Sequence, residues 1–187
     1  MKIRLAVNEI QKDSIVDGEG IRSVIWTQGC SHNCKGCHNP ETHSFEGGVL
    51  VDIEDIKKKI DTLEAQDGIT FSGGDPMMQS EACSELAKYC KSKGLNIWCY
   101  TGFTYEQLLK LSKTKKSIME FLENIDVLVD GKFVLEEKSY DVVFRGSKNQ
   151  RLIDVKRSLE SGHIVLVTKF DDISYNNKGR ENAYMFV

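Results

Sequence analysis

Apolar residues along this chain follow two rhythms that alternate with one another. Compact runs at Ile21 to Thr27, Gly68 to Ser72, Leu95 to Tyr100 and Ile125 to Val129 have the length of buried strands. Between them, apolar positions recur every three or four residues, which is the mark of one helical face. Ile53, Ile56, Ile60 and Leu63 form such a face, and Asp52 is placed to cap its first turn. Cys83, Leu86, Ala87 and Cys90 form another, within a helix predicted over Gln79 to Lys93 and closed by Gly94. Thr104 and Gln107 have the spacing of a capping box at the start of the next helix. Beyond Asp130 the pattern weakens. Asp141 to Phe144 and His163 to Val167 are predicted strands, Ile153 to Glu160 a short helix, and 171–187 is polar and poorly periodic.

Strands separated by helices imply an α/β fold with a mostly parallel sheet and right-handed crossovers. In such sheets the loops at the carboxyl ends of the strands face one common mouth. Gly29 to Pro40, Ser72 to Pro76, Tyr100 to Phe103 and Asp130 to Phe133 all fall at those ends, so they are expected to converge. A chain of 187 residues is short of the roughly 250 of a closed eight-unit barrel, which makes a partial (β/α) barrel of about five or six units the expected architecture. One domain over residues 1–187 is expected, with a core from about 18 to 167 and the polar tail after it.

Composition narrows the function classes. A hydrophobic fraction of 40% and a charged fraction of 28% suit an ordinary soluble domain. The formal net charge is -3, and the lysines of 57–59 and 113–116 read as solvated helix faces, so the chain lacks the basic footprint that nucleic acid requires. The N-terminus turns polar too early for a signal peptide, and no apolar run reaches the roughly 20 residues that span a bilayer. A cytoplasmic protein without a membrane partner is expected. In that compartment the six cysteines are thiols or metal ligands sooner than disulfides.

Three of them, Cys30, Cys34 and Cys37, stand within eight residues. Three thiolates hold three corners of an iron-sulfur cube, and the fourth iron is left open for chemistry. The competing reading is a structural zinc site with His32 or His38 as fourth ligand. Against it, the paired knuckles of a zinc ribbon are absent, and His38 follows Cys37 too directly to serve easily; lining the site suits it better. Gly73 and Gly74 follow a strand, where glycines let backbone carbonyls approach a ligand, and an ammonium group would suit them. Asp130 and Lys132 offer an anion and a cation at another strand end. Cys83, Cys90 and Cys99 read as small buried hydrophobes, and His163 carries no motif.

The cysteine spacing after one strand and the Gly-Gly-acid-Pro turn after the next resemble the radical S-adenosylmethionine superfamily. The blocks Gly18 to Cys30, Cys37 to Thr42, Asp126 to Phe133 and Phe144 to Val155 resemble, more narrowly, the anaerobic ribonucleoside-triphosphate reductase activating proteins, a family of glycyl-radical activases. The likeness runs from about Gly18 to about Val167. It implies that Cys30, Cys34 and Cys37 bind one 4Fe-4S cluster whose open iron is chelated by S-adenosylmethionine. Gly36, Cys37 and His38 would border that cofactor, Gly73 and Gly74 would hold its ammonium group, and Asp130 and Lys132 match an acid-x-lysine element near it. Gly36 departs from the aromatic residue that many superfamily members carry there, leaving His38 and Tyr100 as candidates for stacking on adenine.

The resemblance further implies reductive cleavage of the cofactor to a 5'-deoxyadenosyl radical that removes a hydrogen from a glycine of the reductase's large catalytic subunit. No acid-base side chain is required for that step, so no catalytic residue beyond the cluster and cofactor is expected. A low-potential, flavodoxin-like electron donor is the second implied partner. Activation of pyruvate formate-lyase is the alternative within the same chemistry, and the Arg145 to Val155 block favours the reductase. A non-catalytic zinc-binding docking subunit is the alternative outside it.

Overall fold

A computed structural model describes residues 1–7 and 9–171; the polar segment expected after residue 171 lies outside the described residues. Among the described residues eight strands form one mixed sheet. Its centre is parallel: β3 (Arg22–Thr27), β5 (Gly68–Gly73), β6 (Asn96–Tyr100) and β7 (Val127–Asp130) lie side by side. These segments are buried on both faces, which is why they read as continuous apolar runs and not as alternation.

The flanks are antiparallel and were not evident from the pattern. β1 (Lys2–Leu5) pairs with β4 (Val49–Asp52), while β1 and β2 (Gln11–Ser14) share one edge of β3. β1 alternates polar and apolar residues but over only four positions, the lower limit of a strand signal, and β2 and β4 do not alternate at all. On the other flank β8 (Arg151–Asp154) pairs antiparallel with β7. Four parallel strands with antiparallel borders thus stand where five or six repeated units were expected.

Helices cover the sheet much as the periodicity predicts. α1 (Ile53–Asp61) is capped by Asp52, whose carboxylate accepts the Glu54 N–H at 3.1 Å. α2 (Ser80–Ser92) buries Cys83, Leu86, Ala87 and Cys90 completely. α3 (Tyr105–Ser112) starts with the expected capping box between Thr104 and Gln107, and a separate α4 (Lys116–Leu122) follows it. α5 (Val155–Ser161) begins two residues later than the helix predicted from Ile153. Leu152 and Ile153 are drawn into the sheet as β8, and Asp154 caps the helix by accepting the Arg157 N–H.

Two strand expectations fail. Residues 141–144 bend instead, because Phe144 turns through a positive φ of 57° to set its ring edge-on against Trp98 and Phe170. Residues 163–167 contribute only an isolated bridge, Leu166 to Ile153. The main core lies between the sheet and α1 to α4, centred on Ile25, Phe71, Leu86 and Leu128. Among the described residues no helix is long and apolar enough to cross a membrane.

Candidate functional site

At the carboxyl ends of β3, β5, β6 and β7 the four expected loops meet around one cavity of about 130 Å³. Cys30, Cys34 and Cys37 line it, all three free and half-buried. The loop that carries them leaves β3 and is anchored at its start, where Gly29 N–H donates to the Thr42 carbonyl and Cys30 N–H to that of His43. Within the loop the Cys37 N–H donates to the Cys34 carbonyl, and the Asn39 N–H points at the Cys37 sulfur at 3.4 Å. Such donors favour a thiolate.

The facing wall is the turn after β5. Gly73 has φ +101°, and a Cβ there would sit 2.5 Å from the Thr27 carbonyl oxygen; at Gly74 one would sit 2.5 Å from that of Gly29. Backbone bonds close the same gap: Gly74 N–H to Thr27 O at 2.8 Å and Asp75 N–H to Gly29 O at 2.9 Å. Glycine is therefore required by steric contact between the two loops, in addition to any ligand they hold. The cavity thus has sulfur on one side and glycine backbone on the other.

Beneath the thiols lies a buried polar knot. Asp75 is fully buried, and its carboxylate accepts the Met77 N–H (2.9 Å), the Gly102 N–H (3.0 Å) and the Thr101 hydroxyl (2.9 Å), while His32 Nε2 lies 2.7 Å from Oδ2. The His32 ring stands edge-on to Phe103, 4.5 Å between centroids. Three loops are thereby tied at one carboxylate. With its Nε2 engaged in this way, His32 is a strut of the cysteine loop. The sequence marks Asp75 only as a turn residue; its position between Gly74 and Pro76, where a side chain can cap the next turn, is the signal that was available.

The other expected residues divide. His38 lines the cavity with its ring tilted against Phe133, 4.8 Å between centroids. Tyr100 is also in the wall. Gly36 faces away, where a Cβ would meet Leu135 at 2.9 Å. The Asp130 carboxylate is buried and engaged: it accepts the Tyr105 N–H at 2.8 Å and pairs with the Arg151 guanidinium, which also holds Glu106. Lys132 is exposed and outside the cavity lining, and its carbonyl is held by Asn149 at 2.8 Å. Gly131, Phe133 and Gln150 are the residues that this part of the chain brings to the wall. Gln150 was missed because it arrives from the far side of β7, with its Nε2 donating to the Gly131 carbonyl at 2.9 Å.

Burial raises the Cys30 and Cys34 thiols above the ordinary cysteine range, and backbone hydrogen bonds offset part of the rise. Protons are therefore held until a metal displaces them. Among the described residues, no three His, Cys, Asp or Glu side chains are grouped to hold a single metal ion. A 4Fe-4S cluster makes a different demand, since each of three thiolates binds its own iron and the three need no common focus. The remaining thiols are of another kind: Cys83, Cys90 and Cys99 are completely buried in the core, and burial pushes all three far up, Cys90 to about 12.

Residues 16–153 match the family model described as a 4Fe-4S single cluster domain. An anaerobic ribonucleoside-triphosphate reductase-activating protein of Haemophilus influenzae is 37% identical over 149 residues, spanning 73% of this chain and 89% of its own length. Proteins of the same description from Vibrio cholerae, 36% identical over 144 residues, and Escherichia coli K12, 33% identical over 150, cover the same 73% of this chain and 89% and 90% of their own.

Proposed function

Because the chain belongs to the family of anaerobic ribonucleoside-triphosphate reductase-activating proteins, we propose that it installs the glycyl radical of that reductase from a single 4Fe-4S cluster and S-adenosylmethionine. The observation that carries this reading is the cavity in which three free thiols face a glycine turn. Cys30, Cys34 and Cys37 would hold the cluster, leaving one iron without a protein ligand for S-adenosylmethionine. Bound there and reduced, the cluster would supply the electron for reductive cleavage of S-adenosylmethionine, and the cofactor would supply the group that takes a hydrogen atom from a glycine Cα of the large catalytic subunit.

The protein's own part is positional. Gly73 and Gly74 present backbone to the methionine ammonium, and Cys37 and His38 border the cofactor, with Tyr100 beside them. Gly36 acts on the far side of the loop by letting it pass close to Leu135. Asp130, engaged by Arg151 and the Tyr105 amide, serves by holding the turn that delivers Gly131 and Phe133, and Lys132 contributes its positive field near Cys34. No side chain has to move a proton in the abstraction. The parallel strands and their flanks are read as an open barrel whose missing side admits a polypeptide, with residues 1–187 acting as one unit. Free thiols at all six cysteines suit the reducing cytoplasm, where a low-potential flavodoxin-like donor supplies the electron.

The test mixes reduced, cluster-loaded protein and S-adenosylmethionine with the large reductase subunit, with pyruvate formate-lyase as comparison. A glycyl radical seen by electron paramagnetic resonance on the reductase, with about four irons per chain, is expected. A radical only on pyruvate formate-lyase, or stoichiometric zinc in place of iron, overturns the proposal.

A further inference from the structure

Beside the thiol cavity opens a larger one of about 540 Å³, and the two share His38, Ser72, Tyr100 and Phe133 in their walls. The larger space is therefore a vestibule to the smaller. Its outer walls come from segments far apart in sequence, residues 15–17 after β2 and residues 140–146 ahead of β8. Among the described residues the three most exposed large apolar side chains, Ile15 at 71%, Val16 at 71% and Tyr140 at 77%, all belong to these walls. Single exposed apolar residues are ordinary on any surface, whereas three gathered at one opening mark a surface made to be covered.

We infer that the rim formed by Ile15, Val16 and Tyr140 is the docking surface for the glycine-bearing segment of the partner reductase. The inference rests on the function proposed above. A hydrogen atom is taken directly from a backbone carbon of the partner, so that carbon has to enter the space next to the thiols, and the vestibule leads there. A glycine, without a side chain, passes between Tyr100 and Phe133; its flanking residues stay outside at the level of the rim. Uncharged apolar side chains suit those flanks and offer nothing to the charged methionine end or the ribose hydroxyls of the cofactor. The rim therefore binds the partner and leaves cofactor cleavage alone.

The double variant Ile15→Ser/Val16→Ser and, separately, Tyr140→Ala test this in the full-length, cluster-loaded protein. Three quantities are read: partner-free formation of 5'-deoxyadenosine, glycyl radical on the reductase, and affinity for the reductase subunit. Partner-free cleavage is expected within about twofold of wild type, while affinity and radical yield at limiting partner fall about tenfold or more, the size that loss of buried interface anchors produces. Ile15→Leu/Val16→Leu, which keeps the rim apolar, restores both. Unchanged affinity and radical yield in the Ser and Ala variants overturn the inference. A changed sedimentation coefficient of the isolated protein with radical transfer intact also overturns it, by assigning the rim to a second copy of this chain. Failure of the underlying function shows in wild type itself, as absent cleavage or absent radical, and is thus told apart from failure of the rim.

Discussion

Replacing Asp75 by Asn tests whether the knot beneath the thiols holds three loops together. One carboxylate oxygen accepts the Met77 N–H and the other the Gly102 N–H, with His32 Nε2 beside the second. An asparagine carries one oxygen and one NH₂ group. Whichever way the amide is turned, its NH₂ faces a backbone N–H, that of Met77 or that of Gly102, and one buried donor loses its acceptor. Such a loss costs about 1–3 kcal/mol, and the surviving bonds no longer end on a charge, which removes about 1 kcal/mol more. The expected sum is about 3 kcal/mol. For a domain of this size each kcal/mol moves the thermal midpoint by about 2–4 °C, so Asp75→Asn is expected to melt about 6–12 °C lower. Scanning calorimetry of wild type and variant at matched iron content measures it. Asp61→Asn, which touches an exposed pair with Lys93, is the surface control and should leave the midpoint nearly where it is. A midpoint for Asp75→Asn within about 1–2 °C of wild type would refute the reasoning, since it would mean the four donors find other acceptors at no cost.

Removing any one of Cys30, Cys34 or Cys37 as Ala should empty the site of iron and abolish 5'-deoxyadenosine formation. Cys83→Ala should keep both, with a stability loss of about 1 kcal/mol for the deleted buried group; iron analysis and product chromatography separate the two classes. Gly73→Ala forces a Cβ against the Thr27 carbonyl at a positive φ, so a loss of about 1–3 kcal/mol in urea unfolding is expected, together with weaker cofactor binding. Arg151 holds the Glu106 carboxyl down at about 2, well under its ordinary 4.5. Stability from this pair is full above about 4.5 and fades as pH falls toward 2, so Glu106→Gln should differ from wild type at neutral pH by at most about 1 kcal/mol and match it near pH 2. A difference that grows on acidification would reverse the assigned sign.

The parallel strands, α1 and α2, the capping box of α3 and the cysteine triplet were all legible in the chain, because each is written in neighbouring residues. Periodicity reports burial on one face, a cap sits beside its helix, and three ligands within one loop declare themselves by spacing. The short flanking strands β1 and β4 were not legible, since four residues each are too few to declare a strand and their antiparallel pairing with one another joins segments more than forty residues apart. Residues 141–144 show the opposite failure: a strand-like run was bent by the contacts of Phe144 with Trp98 and Phe170, which lie far away in sequence.

The same division applies to the site. Local sequence determined that three sulfurs occupy one loop and that glycines follow the neighbouring strand, and with these the class of cofactor. Only the tertiary structure decided what surrounds them. Asp130 is paired with Arg151, His32 is a strut on Asp75, and Ile15 and Tyr140 come to one opening across more than a hundred residues of chain. Ligand spacing is a property of covalent geometry. Pairing of buried charges and the meeting of distant loops depend on which surfaces the sheet brings together, and no short window of sequence contains that information.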